Sequence, residues 1–203
     1  MTKLKSSWSI LLIAFLIGCA SQKPLETDDA CILLEDQSGW FSAVARSQRE
    51  WGIPMAIQLA IIYQESSFRP SALPPRKYIL GFIPWGRVSS AYGFSQALDG
   101  VWSDYIKFRG DGLLVSRTRF KDAVDFIGWY LHGASRKLGI SKDDAYHLYL
   151  VYHEGVSGYQ SRQYKKNKSL LAAAKKVRAR ARAYQSQIDR CGWYLRFRNL
   201  DFL

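Results

Sequence analysis

The run Ile53-Pro54-Met55-Ala56-Ile57-Gln58-Leu59-Ala60-Ile61-Ile62-Tyr63 is apolar at nearly every position, and Gln58 is the only polar side chain before the tyrosine. Because a helix on a protein surface keeps one polar face, a uniformly apolar run predicts a helix that is buried on all sides. Pro54 suits the first turn of such a helix, since proline lacks the backbone N–H that a first turn leaves unpaired. The sequence therefore predicts a central helix that begins near Pro54.

A carboxyl group follows this buried run, in the segment Gln64-Glu65-Ser66-Ser67-Phe68. Burial and the negative end of the helix dipole both disfavour an ionised Glu65, so we expect its pKa to be raised. A glutamic acid that is protonated near neutral pH can act as a general acid. The alternative is a glutamate that simply reaches solvent at a helix end.

Five further stretches carry the 3.6-residue apolar period of helices. The expected helices run from Ser38 to near Gly52, from about Ala97 to Phe108 before Gly110, from Phe120 to Leu138 before Gly139, from Lys142 to His153 after a Ser141 cap, and from Ser169 to about Asp189. Serine and glycine are common caps at helix starts and ends. The pattern predicts a single, mainly α-helical domain with a substantial core.

The N-terminal residues have the composition of an export signal. Lys3 and Lys5 precede an apolar run over residues 8–19, which is too short to span a bilayer but has the length of a signal-peptide core. The end of the run, Leu16-Ile17-Gly18-Cys19, resembles the bacterial lipobox, in which the cysteine is acylated and the peptide before it is removed. The alternative is an ordinary cleaved signal peptide with a chance cysteine.

The lipobox resemblance divides the chain into a signal peptide over residues 1–18, an acylated Cys19 with a polar tether over residues 19–30, and one domain over residues 31–203. No aspartate follows Cys19, although lipoproteins that stay at the inner membrane commonly have one there. The resemblance therefore implies a lipid anchor at the periplasmic face of the outer membrane.

Cys31 and Cys191 lie near the two ends of the mature chain, in what should be an oxidising compartment. We expect a disulfide between them, and two free buried thiols are the alternative. The histidines, at positions 132, 147 and 153, are scattered, and none has the spacing of a zinc site. We therefore expect no metal ion.

Three short motifs occur in order, each at the end or turn of a helical stretch. They are Glu65-Ser66-Ser67-Phe68-Arg69-Pro70, Ala91-Tyr92-Gly93-Phe94-Ser95-Gln96 and Val151-Tyr152-His153-Glu154-Gly155. Together they resemble the Glu-Ser, Gly-Leu-Met-Gln and Ala-Tyr-Asn-Ala-Gly motifs of the SLT-type lytic transglycosylases. This bacterial family cleaves peptidoglycan with a lysozyme-like fold similar to that of goose-type lysozyme, so the resemblance implies the same fold and substrate here.

The resemblance also implies roles for five residues. Glu65 would protonate the glycosidic oxygen between N-acetylmuramic acid and N-acetylglucosamine, and would then act as a base while the muramoyl C6 hydroxyl closes a 1,6-anhydro ring. Tyr152 would hydrogen-bond Glu65 or the developing sugar cation, and Ser66 would hold the substrate or the carboxylate. Gln96 would bind N-acetyl groups, and Gly93 would let the backbone approach the sugar. Such a reaction needs no cofactor.

Two departures from the family pattern keep other functions open. His153 and Glu154 occupy the positions of the family's Asn and Ala. A second carboxylate in the cleft would allow water activation, as in a lysozyme-type hydrolase, although on a regular helix Glu154 should point away from Tyr152. A non-catalytic protein that binds peptidoglycan is a further alternative.

The segment between Leu73 and Ser90 is longer than the corresponding link in the family. Its prolines and glycines are incompatible with a helix, and Tyr78, Phe82 and Trp85 offer faces on which sugar rings stack. We expect these three residues to belong to a loop that lines the cleft, and a packed surface loop is the alternative.

The C-terminal helix is strongly basic, with 12 Lys or Arg and one Asp between residues 161 and 198. This surface would attract an anionic polymer such as peptidoglycan or an anionic leaflet, although a solvated helix face is the simpler interpretation. Nucleic acid is excluded as a partner by the expected location. Nothing in the sequence indicates an oligomer, so we expect a monomer.

Overall fold

The computed structural model describes residues 25–110 and 114–198. The predicted signal peptide, Cys19 and the first part of the tether lie outside these residues. The helices are α1 (Ala30–Asp36), α2 (Trp40–Trp51), α3 (Met55–Ser66), α4 (Asp99–Arg109), α5 (Phe120–Leu138), α6 (Ala145–Gln160) and α7 (Lys168–Arg198), with a 3-10 helix (Gln163–Lys166) before α7 and a hairpin of β1 (Arg76–Ile79) and β2 (Ile83–Arg87). The fold is mainly α-helical, as the sequence predicts.

The buried central helix is confirmed as α3, in which every residue from Met55 to Ile62 is buried. It packs along α7 and also contacts α2 and α5. The one polar side chain in the run, Gln58, donates to the Ile53 carbonyl at 2.8 Å and accepts from the Ser47 hydroxyl at 2.8 Å. Because its amide is paired, Gln58 can be buried without the cost of an unsatisfied polar group.

An aromatic cluster connects the turn after α3 with the start of α5. Trp40 stacks on Phe120 with a ring separation of 3.8 Å, and its ring lies 5.6 Å from those of both Phe68 and Phe94. Phe68 belongs to the first motif and Phe94 to the second, so the cluster fixes these two motifs relative to each other. Such ring pairs stabilise the fold beyond the apolar area that they bury.

Several helix boundaries differ from the sequence prediction. Gly39, with φ of 77°, precedes α2 in place of a Ser38 cap, and Asp144 caps α6 in place of Ser141 by accepting from the His147 N–H at 3.1 Å. The ends of α4 and α5 at Gly110 and Gly139 are confirmed. Both α6 and α7 extend beyond their predicted ends. The added turns of α7 are held to α1, because Cys191 is joined to Cys31 and the side chains of Tyr194 and Arg198 donate to Glu35.

The predicted disulfide between Cys31 and Cys191 is present, and it joins α1 to α7. Helix α1 has no periodic signal in the sequence, because it has only seven residues. Its cap, Asp29, accepts from the Cys31 N–H at 2.7 Å. Just before α1, the Thr27 carbonyl accepts from the Tyr184 hydroxyl. The described end of the predicted tether is therefore bound to α7.

No helix within residues 25–110 and 114–198 has the length and apolar character needed to cross a membrane.

The disulfide yields a test of stability. It closes a loop across a sequence separation of 160 residues. In the chain-entropy view such a crosslink stabilises the fold by roughly 5 kcal/mol, so its loss should lower Tm by roughly 10 °C or more. Scanning calorimetry of a Cys31→Ser, Cys191→Ser variant would measure the change, with the reduced parent protein as the matched comparison. An unchanged Tm in both samples would contradict a stabilising role.

Candidate active site

An open cavity of about 600 Å³ lies at the C-terminal end of α3. Its other walls are the segments that flank the hairpin, helix α5 and the part of α6 near Gly155. It is lined by Glu65, Leu73, Pro74, Pro75, Ser89, Ala91, Gln96, Ala97, Leu98, Val101, Phe126, Tyr130, Tyr152, His153, Glu154 and Gly155. All three sequence motifs contribute to this lining, so the fold brings together residues up to 90 positions apart in the chain.

Glu65 lies in the last turn of α3 with its carboxyl group at the cavity. Burial raises its pKa from 4.5 to about 7, and this effect outweighs a hydrogen bond with Tyr149 and the proximity of His153, which both lower it. A pKa of about 7 leaves a large fraction of the group protonated at neutral pH. The structure therefore confirms the raised pKa expected from the sequence and identifies burial as its main cause.

Tyr149 is the hydrogen-bonding partner of Glu65, a residue that the sequence analysis did not select. It is buried on α6, and both burial and the charge of Glu65 raise the pKa of its hydroxyl, so it remains a proton donor. Tyr149 precedes Tyr152 by three residues, and residues three apart share a helix face. This spacing alone predicts that Tyr149 lies beside the motif tyrosine.

Tyr152 lines the cavity but does not bond the carboxyl group of Glu65. Its hydroxyl donates to the Ser95 carbonyl at 2.5 Å, and burial together with the negative charge of Glu65 raises its pKa well above the ordinary value. The neutral hydroxyl thus connects the third motif to the second, and its oxygen keeps lone pairs that can face a bound molecule.

Gln96 lines the cavity with its amide orientation fixed. Its Nε2 donates to the Ala72 carbonyl at 3.0 Å and to the Gly93 carbonyl at 2.8 Å. Both N–H groups are therefore used, and only the carbonyl oxygen remains to accept a hydrogen bond from a ligand. This geometry suits the N–H of an N-acetyl group better than its carbonyl.

Gly93 is buried and does not line the cavity, so the expected approach of the backbone to sugar at this position is wrong. Its φ is 76°, and an added Cβ would lie 2.1 Å from the Arg117 carbonyl oxygen. The glycine is required because the turn packs directly against the backbone at Arg117. It supports the turn that holds Gln96.

Ser66 also lies away from the cavity, and the prediction that it holds the substrate or the carboxylate is wrong. Its side chain is buried, and its hydroxyl donates to the Ile62 carbonyl at 3.1 Å. Successive residues on a helix point about 100° apart, so with Glu65 directed at the cavity Ser66 is directed at the core.

Glu154 lines the cavity beside His153 and Tyr152, although regular helical geometry would turn it away. Directly after Glu154, Gly155 interrupts α6 with φ of 73° and ψ of 168°. This backbone conformation is accessible almost only to glycine. The Glu154 carboxyl lies 3.1 Å from the Nδ1 atom of His153, so the cavity contains a second acid next to an imidazole.

The aromatic residues of the hairpin do not line the cavity, which corrects the sequence prediction for Tyr78, Phe82 and Trp85. All three side chains are exposed. The hairpin contributes to the cavity only through residues at its base, including Pro74 and Pro75. Tyr78 and Trp85 lie on the two strands and Phe82 lies in the turn between them, all beyond the cavity, and the sequence could not indicate that placement.

A helical domain with a protonatable glutamate in an open cleft defines a lysozyme-like class of glycan-cleaving proteins. Residues 7–191 match the family model of the transglycosylase SLT domain, and since the match spans most of the chain, the chain belongs to this family. Members are lytic transglycosylases, which cleave glycosidic bonds of peptidoglycan. No curated protein matches the chain.

The raised pKa of Glu65 has a consequence for stability. Between pH 4.5 and 7 the folded state binds more protons than the unfolded state, so the free energy of unfolding falls as pH rises through this window. Glu65→Gln removes the cost of ionisation. The variant should match the parent near pH 4 and should be more stable at pH 8 by on the order of 2 to 3 kcal/mol.

Urea unfolding at both pH values measures the difference. Asp104→Asn, at an exposed position on α4, is the matched control and should change little at either pH. An equal stability difference for Glu65→Gln at pH 4 and pH 8 would show that the folded protein does not hold Glu65 at a raised pKa.

Proposed function

We propose that this protein cleaves the β-1,4 bond between N-acetylmuramic acid and N-acetylglucosamine and leaves 1,6-anhydro-muramoyl ends, with Glu65 as the catalytic residue. The observation that carries the proposal is the burial of Glu65 at the cavity, which raises its pKa to about 7. One carboxyl group with this pKa can donate a proton and later accept one at the same pH.

In the first step Glu65 donates its proton to the glycosidic oxygen. The bond from that oxygen to the anomeric carbon breaks, and positive charge develops on the muramoyl ring. Tyr152 would stabilise this charge, because its hydroxyl hydrogen is directed to the Ser95 carbonyl and its oxygen lone pairs are available to the cavity.

In the second step the Glu65 carboxylate accepts the proton of the muramoyl C6 hydroxyl, and the C6 oxygen bonds to the anomeric carbon. The acid is regenerated, and no water is consumed. Tyr149 supports this step, since its hydrogen bond favours the ionised form of Glu65. Burial and this hydrogen bond act in opposite directions, which holds the pKa near neutrality.

The remaining lining residues suit a polysaccharide. The Gln96 carbonyl oxygen can accept from an acetamido N–H, while Phe126 and Tyr130 from α5 and Pro74 from the hairpin base present apolar surface. Sugars bind such mixed surfaces through their C–H faces and hydroxyl groups. We expect the chemistry to proceed without a cofactor.

The structure favours one second candidate, a hydrolase that adds water to the muramoyl cation. Glu154 lines the same cavity, so a second carboxylate is available to activate water. Its carboxyl already pairs with His153, which competes with binding of a water molecule. The identity of the products distinguishes the two reactions.

We further propose that residues 1–18 are removed, that Cys19 is acylated and that the enzyme acts as a monomer at the periplasmic face of the outer membrane. The lipobox at residues 16–19 supports the anchor. The disulfide between Cys31 and Cys191 is compatible with an oxidising compartment such as the periplasm.

The products of purified peptidoglycan test the chemistry. The protein without its leader, residues 20–203, should release muropeptides that are one water lighter than hydrolytic products, as measured by mass spectrometry. Glu65→Gln cannot donate a proton and should lower the rate by a factor of about 10² to 10⁴, the range that a positioned general acid contributes.

Glu154→Gln is the matched control, because it removes the other carboxylate of the cavity. In the proposed reaction this variant keeps its anhydro products. Products with reducing ends that disappear in Glu154→Gln would establish the hydrolase, and binding of peptidoglycan without cleavage would establish a non-catalytic protein.

The role of Tyr149 predicts a change in pH dependence. Tyr149→Phe removes a hydrogen bond that lowers the pKa of Glu65, so the pH above which cleavage declines should move upward. Tyr152→Phe should shift this limb less, because the Tyr152 hydroxyl bonds Ser95. Profiles of kcat/KM against pH for the two variants provide the comparison, and a downward shift for Tyr149→Phe would contradict the assignment.

A further inference from the structure

The tip of the hairpin is an exposed apolar surface that has no role in the cavity. Leu80 is 77% exposed, Phe82 72% and Trp85 67%, and the neighbouring side chains Ile79 and Ile83 are also exposed. Monomeric proteins seldom display so many adjoining large apolar groups without a binding function. The hairpin tip, residues 78–86, is therefore a candidate interaction surface.

The backbone conformation of the hairpin tip is unusual for the residue that occupies it. Leu80 has φ of 54° in the left-handed region, where glycine or asparagine is favoured over a leucine. The next residue also has a positive φ, of 80°, but it is Gly81, which adopts this conformation without strain. Leu80 is thus a large apolar side chain at a solvent-facing position, where glycine or asparagine would adopt the backbone conformation at a lower cost.

The chemistry of the tip suits hydrocarbon better than sugar. Apart from the Tyr78 hydroxyl and the Trp85 indole N–H, residues 78–86 carry no polar side-chain group, so little is available to bond sugar hydroxyls. The most exposed member, Leu80, is aliphatic and offers no ring for stacking. Aromatic residues such as Tyr78 and Trp85 are enriched where proteins meet the interface of a bilayer.

The positive charges around the hairpin tip favour an anionic partner. Arg76 and Lys77 lie at the start of β1, exposed and without an ion pair to any described residue, and Arg87 lies at the end of β2. No acid occurs between residues 66 and 98. Cations behind an apolar tip match a membrane in which anionic headgroups surround a hydrocarbon interior.

The strands argue against a protein partner that adds a third strand. Pro84 removes a backbone donor from β2, and the pairing of β1 is irregular between Arg76 and Tyr78. Both features discourage strand addition at a sheet edge. The strands also carry backbone groups that need water, so only the apolar tip can enter a bilayer, to the depth of the interface.

The proposed anchor would keep the hairpin close to a membrane. The described chain starts at Leu25, and Arg180, which donates to the Thr27 carbonyl, stacks on Tyr63 in the last turn of α3. The hairpin begins ten residues after this turn. Six residues from Cys19 to Leu25 span at most roughly 20 Å, so an acylated Cys19 would hold this end of α3 near the bilayer.

We propose that the hairpin tip inserts into the interface of an anionic bilayer and orients the domain on the membrane, in addition to the lipid anchor. The proximity of the hairpin to a bilayer rests on the proposed acylation of Cys19. The exposure, backbone conformation and charge of the hairpin tip do not depend on that acylation. Insertion at this point would fix the direction in which the neighbouring cavity faces the peptidoglycan.

Vesicle flotation of the unacylated chain, residues 20–203, tests the proposal, because this piece contains every element of the described fold. The vesicles contain phosphatidylcholine with 30 mol% phosphatidylglycerol, or phosphatidylcholine alone. The parent protein should float with the anionic vesicles, and Leu80→Ser with Phe82→Ser should weaken the partition at least tenfold. The assay contains no peptidoglycan, so its failure would leave the proposed enzymatic chemistry intact.

The matched control changes another pair of exposed apolar side chains, at the end of α7. Trp193 and Phe197 are each 72% exposed and lie among arginines, so Trp193→Ser with Phe197→Ser tests a generic apolar and basic surface. This variant should float within about twofold of the parent. Loss of binding in this variant alone, or equal binding by the hairpin variant, would overturn the proposal.

A label at the tip reports insertion directly. Leu80→Cys in residues 20–203 provides one free thiol, because Cys31 and Cys191 are joined, and a nitrobenzoxadiazole group on it should brighten and shift to shorter wavelength with the anionic vesicles. A water-like spectrum in the vesicle-bound protein would overturn insertion of the tip. So would brightening without vesicles that grows with protein concentration, since the tip would then bind a second copy of the chain.

Discussion

The partial burial of Glu65 at the cavity is the constraint on which the rest of the site depends. A carboxyl group with an ordinary pKa would be ionised at neutral pH and could not donate a proton to a glycosidic oxygen. Burial at the end of α3 raises the pKa to about 7, and the hydrogen bond with Tyr149 limits the increase. The site therefore needs a buried helix end, an adjoining cavity and a tyrosine that remains protonated.

The scaffold supplies these conditions through contacts that are distant in sequence. The apolar body of α3 packs between α7, α2 and α5, which fixes the position of its last turn. The stacking of Trp40 and Phe120 near Phe68 and Phe94 holds the first two motifs together. The hydrogen bond from Tyr152 to Ser95 connects the third motif to the second. The site is thus built from turns and helix ends that a rigid helical core holds in place.

The features that the sequence predicted correctly are local or compositional. A uniformly apolar run identified α3, glycines identified the ends of α4 and α5, and the positions of Cys31 and Cys191 identified the disulfide. The raised pKa of Glu65 also followed from local sequence, because a carboxyl group directly after a buried helix has little access to water. Each of these signals depends on neighbours within a few residues or on a simple count.

The errors concern side-chain direction and distant packing. Ser66 and Gly93 belong to motifs of the site, yet one turns into the core and the other makes room for the Arg117 carbonyl. Glu154 lines the cavity, and Gly155 interrupts α6 directly after it, and helical periodicity anticipates neither feature. The hairpin aromatics project away from the cavity since strand geometry, rather than composition, sets their direction. Such features depend on tertiary structure that a pattern of residues does not specify.

The ionisation of Glu65 can be measured on the protein itself. An NMR titration of the side-chain carboxyl carbons of the glutamates in residues 20–203, with Glu65→Gln to assign the signal, reports the pKa without any substrate. Because burial raises the pKa of Glu65, one resonance should titrate with a midpoint near pH 7 and should be absent in the variant. A midpoint between pH 4 and 5 would contradict it, because Glu65 would then be an ordinary ionised carboxylate at neutral pH.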